Sequence, residues 1–440
     1  MGRRAWHRAD SLLQSSNKVL GSKKTADGGE GTTGRLSFFV LLVSQLAATA
    51  GFMFVMPFMP LYVQQLGVED AGRAAAWAGL LNTATAVTMA TAAPLWGRLA
   101  DKLGHKPMLL RATLAGAVVV GCMGLVTAPW QLLLLRLLQG TLTGTVAAAT
   151  VLVSATAPAG REGQRLGTLQ MVIFLAAALG PFVGGLFADL VGIRASFGVT
   201  AALLAGSGIM VLFGVGEAKP AREEAEGEGG DDEPPHFKRR LVPVLAALFV
   251  VHLAITGVVP AIPGFLSSLV EEPRRVAGLS GQIIGVAALA AAAGSLVGGG
   301  LAARFGPRRV VIVALLLAGV AFLPQAGVGS VAELWVLRIL GSFFLGIVIP
   351  VVNLAVRSAV PPARQGAAFG LSASVTSAAL GIGPLGGGLL AARFGFEAPF
   401  LVPGVLLIGV GLALVALAVV QGKPRYGKIF RLILAHLVSR

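Results

Sequence analysis

The sequence predicts an all-α integral membrane protein with twelve transmembrane helices arranged as two six-helix bundles. Three observations predict it. Of the 440 residues, 55% are hydrophobic and only 12% charged, against about 25% charged in a soluble chain; mean hydropathy is +0.81. Apolar runs of the ~20 residues needed to cross a ~30 Å hydrocarbon core follow one another along most of the chain, and a helix lets such a run satisfy its own backbone in lipid. The two halves also repeat each other at an offset of 202 or 203 residues. Pro57-x-x-Pro60 returns as Pro260-x-x-Pro263, Arg136 as Arg338, Gly167 as Gly370, and Gly180-Pro181-x-x-Gly184-Gly185 as Gly383-Pro384-x-x-Gly387-Gly388.

Taken in order, residues 1–35 form a polar head rich in Gly, Ser and Lys. Spans are expected at about 36–62, 76–97, 107–127, 130–156, 165–187 and 195–216, making the first bundle (36–216). The stretch 217–240 carries Glu217, Glu223, Glu224, Glu226, Glu228, Asp231, Asp232 and Glu233 before Lys238-Arg239-Arg240. Low hydrophobicity with dense charge marks it as a disordered linker. Spans at about 241–268, 279–300, 308–327, 331–357, 365–390 and 397–421 make the second bundle (241–421), and 422–440 is a basic tail. That tail mixes Ile429, Phe430, Leu432 and Leu437 with Lys428 and Arg431; an amphipathic helix on the membrane surface and a frayed end both fit it. The sixty glycines suit close approach of helix backbones.

The net charge of +15 reports orientation rather than a nucleic-acid partner. Outside the spans, every Lys and Arg falls on one side except Arg73, Arg194, Arg274, Arg275 and Arg393. By the positive-inside rule that side is the cytoplasm and holds both termini, so a multi-pass plasma-membrane protein is expected. The lone Cys122 excludes an internal disulfide and a cysteine metal site, and no cleavable signal peptide is visible ahead of the first span-length run. An enzyme fits poorly. There is no nucleotide loop, and the glycines at Gly383–Gly388 lie inside an apolar span rather than after a strand. No cofactor or metal is expected.

Two loops occupy corresponding places in the repeat. Gly97-Arg98-Leu99-Ala100-Asp101-Lys102-Leu103-Gly104-His105-Lys106-Pro107 joins spans 2 and 3, and Gly299-Gly300-Leu301-Ala302-Ala303-Arg304-Phe305-Gly306-Pro307-Arg308-Arg309 joins spans 8 and 9, with Ala303 in place of Asp101. Together with Arg136-x-x-x-Gly140, the span-5 run from Gly180 to Gly185, and Met56-Pro57-Phe58-Met59-Pro60 at the end of span 1, these residues resemble the signatures of the major facilitator superfamily. Within it, the chain resembles the twelve-span drug:proton antiporter branch.

The resemblance implies a secondary active transporter exporting small lipophilic compounds against protons by alternating access. Its other partner is the bilayer, and a monomer is expected. A dedicated carrier of a metabolite, sugar or lipid stays open as the alternative; a non-transporting membrane sensor is less favoured, for want of large soluble domains. The resemblance makes Asp101 a cytoplasmic latch onto the start of span 11, near Arg364–Gly370, with Gly97, Gly104, Lys106, Arg161 and Arg364 in the same gating set. A carboxylate there is favoured by the helix dipole; simple neutralisation by Lys102 and Lys106 is the plain reading. Gly180, Pro181, Gly184 and Gly185 would kink span 5 and pack it tightly, closing the outer side.

Arg136 is a charge within a span, and such charges face a cavity or partner by default; it lies near enough the outer face to snorkel instead. No Asp or Glu lies deep in a span, so the proton carrier is open between Asp101 and His252, whose ordinary pKa of ~6.5 suits a relay. His252 would serve equally as a hydrogen-bonding cavity residue. By the same resemblance the cavity lies between the halves, lined by spans 1, 4, 7 and 10, with Gln45, Phe54, Asn82, Gln170, His252 and Asn353 as its candidate residues.

Overall fold

The computed structural model describes residues 32–158, 161–216, 237–359 and 365–420. Most of the expected head, the acidic stretch 217–236 and the expected tail lie outside the described residues. In chain order the α-helices are α1 (Thr32–Phe54), α2 (Met59–Gln65), α3 (Ala71–Leu103), α4 (His105–Met123), α5 (Pro129–Leu142), α6 (Thr145–Thr156), α7 (Glu162–Val191) and α8 (Ile193–Gly214). The second half follows with α9 (Phe237–Gly257), α10 (Ile262–Ser267), α11 (Val276–Phe305), α12 (Pro307–Phe322), α13 (Val331–Ala359), α14 (Gln365–Phe394) and α15 (Ala398–Val420). No strand occurs among the described residues. The chain is an all-α membrane protein of two six-span bundles, as expected.

Three expected spans are broken rather than continuous. Span 1 stops at Phe54 and resumes as α2; Pro57 and Pro60 remove backbone donors there. The repeated prolines Pro260 and Pro263 do the same to span 7, where a 3-10 turn at Val259–Ala261 separates α9 from α10. Span 4 divides at Thr143–Gly144, with Gly144 at φ +118, a conformation only glycine adopts readily. The helix ends this frees are satisfied by neighbours: Trp96 Nε1 donates to Thr141 O (2.6 Å) and Arg111 Nη2 to Thr143 O (3.4 Å), while the Arg111 guanidinium sits 3.5 Å over the Trp96 ring. Its counterpart α13 runs unbroken. Helix α9 begins at Phe237, inside the stretch expected to be linker.

Four spans are longer than expected: α3 has 33 residues, and α7, α11 and α14 have 30 each. At 1.5 Å per residue these reach about 45 Å, beyond the ~30 Å hydrocarbon core. They are the four helices by which the halves chiefly meet, α3 against α14 and α7 against α11. Eleven described helical runs are long and apolar enough to cross a bilayer; α3 is not among them. It is rich in Ala and Thr because much of its surface meets protein instead of lipid.

Candidate functional site

The two main contacts between the halves are the same interlock built twice. In the α7–α11 seam, a Cβ at Gly281 would overlap Pro181 O, and one at Gly185 would lie 2.6 Å from Ala277 O. In the α3–α14 seam, a Cβ at Gly79 would overlap Pro384 O, and one at Gly388 would overlap Ala75 O. The repeat makes Gly79 the counterpart of Gly281, Pro384 that of Pro181, and Gly388 that of Gly185. The other two glycines of each motif turn inward to their own half. Gly180 and Gly184 pack on Ala50 and Phe54 of α1, as Gly383 and Gly387 pack on Thr256 and Gly257 of α9. One motif on one helix therefore grips two neighbours, one in each half.

Among the described residues, polar contacts across the seams are few. Thr83 Oγ1 donates to Gly381 O. At the end of the α7–α11 seam, Asp189 Oδ1 accepts from the Gly278 amide at 2.9 Å. Gly278 is the third residue of α11, so its amide is one of the four that a helix start leaves without an internal partner. A side chain at 278 would overlap Asp189 Oδ2; glycine is what admits the carboxylate.

Both seams close at the same end of the molecule, the end holding the turns at Gly67, Gly192 and Gly395. Toward the other end, with turns at Gly104 and Gly306, the same helix faces are uncovered. On α7 the stripe of Gly185, Pro181 and Ala178 continues at helical spacing into Phe174 and Met171, which are 63% and 62% exposed. On α11 the stripe of Gly278, Gly281 and Gly285 continues into Leu289 and Leu296, 46% and 87% exposed. On α14 the stripe from Gly388 through Gly381 continues into exposed Ser377 and Ser374. The halves thus part in a wedge.

Several candidate residues stand along or near that wedge. Gln170 on α7 and Asn353 on α13 are exposed, and Asn82 on α3 is half-buried. His252 is half-buried, with Nδ1 held against Leu248 O at 2.9 Å. Gln45 and Phe54 are buried in the first bundle instead: Gln45 Nε2 donates to Thr49 Oγ1 (3.0 Å), and the Phe54 ring tilts against Phe187 with centroids 5.7 Å apart.

Arg136, 7% exposed, donates from Nη1 to Gln139 Oε1 (3.2 Å) and meets Met59 Sδ at 3.6 Å, while its Nε finds no partner. Thr85 Oγ1 donates to Arg136 O (3.2 Å) and Gly140 abuts Thr85 and Thr88, so this signature packs α5 on α3. Arg338, 4% exposed, lies over the Phe322 ring at 5.2 Å, with Nε and Nη1 unpartnered. Among the described residues neither arginine has a carboxylate partner.

At the open end, Gly97 is exposed within α3, and Gly104 takes φ +93 between α3 and α4. Lys106 Nζ donates to Leu212 O at 2.9 Å, within its own half, and Arg308 Nη2 repeats this with Leu414 O at 3.4 Å. Arg161 is exposed at the start of α7. Asp101 lies in the last turn of α3, but its side chain and all of Arg364 lie outside the described residues. Sequence reasoning missed the role of Asp189; its signal was a carboxylate four residues past a glycine run that faces the other half.

Comparison with known proteins accounts for this layout. A family model described as Major Facilitator Superfamily matches residues 41–273 and 244–431. The chain is 34% identical to the multidrug resistance protein MdtG of Proteus mirabilis over 353 residues, covering 80% of this chain and 88% of that protein. It is also 34% identical to MdtG of Dickeya zeae over 358 residues, covering 80% and 87%. Among solved structures, a mutant of the nucleoside transporter NupG superposes with TM-score 0.67 at 17% identity, covering 86% of this chain and 99% of that one. The human organic anion transporter MFSD10 does so with TM-score 0.61 at 18% identity, covering 88% and 100%.

Proposed function

This chain belongs to the major facilitator superfamily, and on that footing we propose that it exports lipophilic drugs in exchange for protons by alternating access. That it is a membrane transporter and not an enzyme follows from the family and its MdtG relatives. The observation that carries the finer reading is the wedge: two like interlocks hold the halves together at one end, while the same faces of α7, α11 and α14 stand open at the other. The unit of motion is then each bundle, 36–216 and 241–421, rocking about the seams. The basic residues around the open end orient it, and both chain termini, toward the cytoplasm of the plasma membrane.

In this reading, the cavity between the bundles takes a small lipophilic substrate against Gln170, Phe174, Asn82, His252 and Asn353. The relatives' name as multidrug resistance proteins supports that class, and soft walls such as Met171 and Phe174 suit varied apolar shapes. To face outward, the bundles must separate the α3–α14 and α7–α11 seams. Gly185 and Pro181, with Gly180 and Gly184 tying them to α1, act as the outer gate, and Asp189 on Gly278 holds it shut. Asp101, Lys106, Arg161 and Arg364 form the opposite gate. Arg136 and Asp101 or His252 link that movement to the proton.

The test is dye efflux from energised cells expressing the chain, with and without a protonophore, alongside Asp101→Asn. Efflux that stops with the protonophore and is lost in Asp101→Asn supports exchange and the cytoplasmic latch. Efflux indifferent to the protonophore discards proton coupling. If no dye of any class moves, the drug-efflux reading falls below that of a dedicated carrier of a metabolite, sugar or lipid.

A further inference from the structure

The wedge between the bundles has two edges, because the halves meet chiefly along two helix pairs. Along one edge α7 parts from α11, and along the other α3 parts from α14. The α7–α11 seam reaches Gly285, where a Cβ would lie 2.7 Å from Ala178 O. The α3–α14 seam reaches Gly381, whose carbonyl accepts from Thr83 Oγ1. Beyond these points each edge is a slot that joins the wedge to the surrounding lipid. From Ala178 to the exposed Gly167 the open run of α7 is about 16 Å long, close to the ~15 Å hydrocarbon depth of one leaflet.

The repeat sets the two slots in register, and their lips differ. Met171 and Phe174 on α7 correspond to Ser374 and Ser377 on α14. Leu289, Ala293 and Leu296 on α11, which share one helix face, correspond to Val87, Thr91 and Pro94 on α3. All ten of these residues are exposed. No Asp, Glu, Lys or Arg occurs in 87–97, 166–177, 289–303 or 366–377, so these lips alone distinguish the slots. One is edged by a thioether, a ring, two leucines and an alanine. The other carries three hydroxyls; Ser374 Oγ donates back to Gly370 O (3.0 Å) and keeps its lone pairs for water. Water against the first lip leaves apolar surface hydrated, and hydrocarbon against the second strips hydroxyls of their solvent; both are unfavourable. Acyl chains therefore fit the α7–α11 slot and water fits the α3–α14 slot.

We propose that the α7–α11 slot is a lateral door through which substrate passes from the cytoplasmic leaflet into the wedge. The proposal rests on the reading of the chain as an exporter of lipophilic compounds and names where they are collected: in the inner leaflet, not in the cytosol. The first readout is independent of transport. Nitroxide labels at Met171→Cys or Ser374→Cys, each in a Cys122→Ala background in liposomes, are relaxed by oxygen, which concentrates in hydrocarbon, or by a water-soluble nickel chelate. Oxygen is expected to dominate at the first label and the chelate at the second. Like accessibility at both, or the chelate dominating at the first, overturns the proposal. The second readout is efflux of Nile red, which dissolves in the bilayer. Leu289→Ser combined with Leu296→Ser should raise the half-saturating dye concentration several-fold, more than it lowers the maximal rate. Ser374→Met combined with Ser377→Phe should alter neither. No effect from the first pair, or an equal effect from both, overturns the door and leaves the exporter standing. If the unaltered chain moves no dye, the exporter reading fails and the label readout decides the door by itself.

Discussion

Asp189 Oδ1 accepts a 2.9 Å hydrogen bond from the Gly278 amide, so a carboxylate of the first bundle caps a helix of the second. Two cations at this end are engaged elsewhere. Arg194 donates to Val126 O (3.3 Å), and Arg275 pairs with Glu272 at 2.8 Å. The bond is therefore a contact between an anion and a helix start, which the helix dipole strengthens. It exists only while the α7–α11 seam is shut.

Removing that cap should shift the balance of states. Losing a helix cap costs about 0.5–2 kcal/mol, so Asp189→Ala should raise the outward-open population roughly 2- to 30-fold. Spin labels at Glu69→Cys and Glu397→Cys in a Cys122→Ala background would read it as a longer inter-label distance. An unchanged distance distribution would mean that the apolar seam alone holds the gate.

The seam glycines should be far less tolerant than glycines elsewhere on the same kind of helix. Gly281→Ala and Gly79→Ala place a methyl group onto Pro181 O and Pro384 O, and interiors packed this tightly resist added volume by about 1–3 kcal/mol. Transport should drop sharply in both. Gly198→Ala and Gly206→Ala, where nothing lies within 4 Å of the added carbon, should transport normally. Equal rates across all four would show that the seams are loose in the working protein.

Arg136 should separate stability from activity. Among the described residues it is a buried guanidinium without a carboxylate partner, so its desolvation is poorly compensated, and an apolar residue of similar size relieves that cost. Arg136→Met should therefore keep or raise the thermal midpoint in detergent while abolishing efflux. A variant that unfolds readily would assign Arg136 to packing, through Gln139 and Met59.

Span 4 offers a local strain test. Gly144 at φ +118 should resist any side chain, with Gly144→Ala costing about 1–3 kcal/mol, visible as a lower thermal midpoint. Gly167→Ala, in open space and ordinary helix, should show no such loss.

Much of this was legible in the sequence because the punctuating residues repeat. Proline and glycine act through the backbone, so the paired Gly-Pro motifs forecast where helices approach; Pro57, Pro60, Pro260 and Pro263 mark the repeat but not the breaks in two spans, since a proline near the end of an apolar run is equally compatible with a continuous helix. Periodicity could not show which glycine faces which neighbour. That division, Gly180 and Gly184 toward α1 and Gly185 toward α11, depends on the crossing of three helices. The break at Gly144 escaped notice because one glycine in an apolar run reads as packing, and its cause lies in Trp96 and Arg111 on other helices. Burial of Gln45 and Phe54 escaped for the same reason, since composition does not say which face of span 1 turns toward its own bundle.

The modest hydropathy of α3 also bears on how the chain is made. Thr83 finds Gly381 almost three hundred residues later in the sequence, so during synthesis α3 waits without the surface it will finally cover. An Ala- and Thr-rich helix of this kind is a weak candidate for entering lipid alone. The surface its own half offers comes from α5, made soon after it, which packs on it through Gly140 and Thr85. The α3–α14 seam is thus also among the last contacts to form, and truncation before α14 should leave α3 open to quality-control proteases.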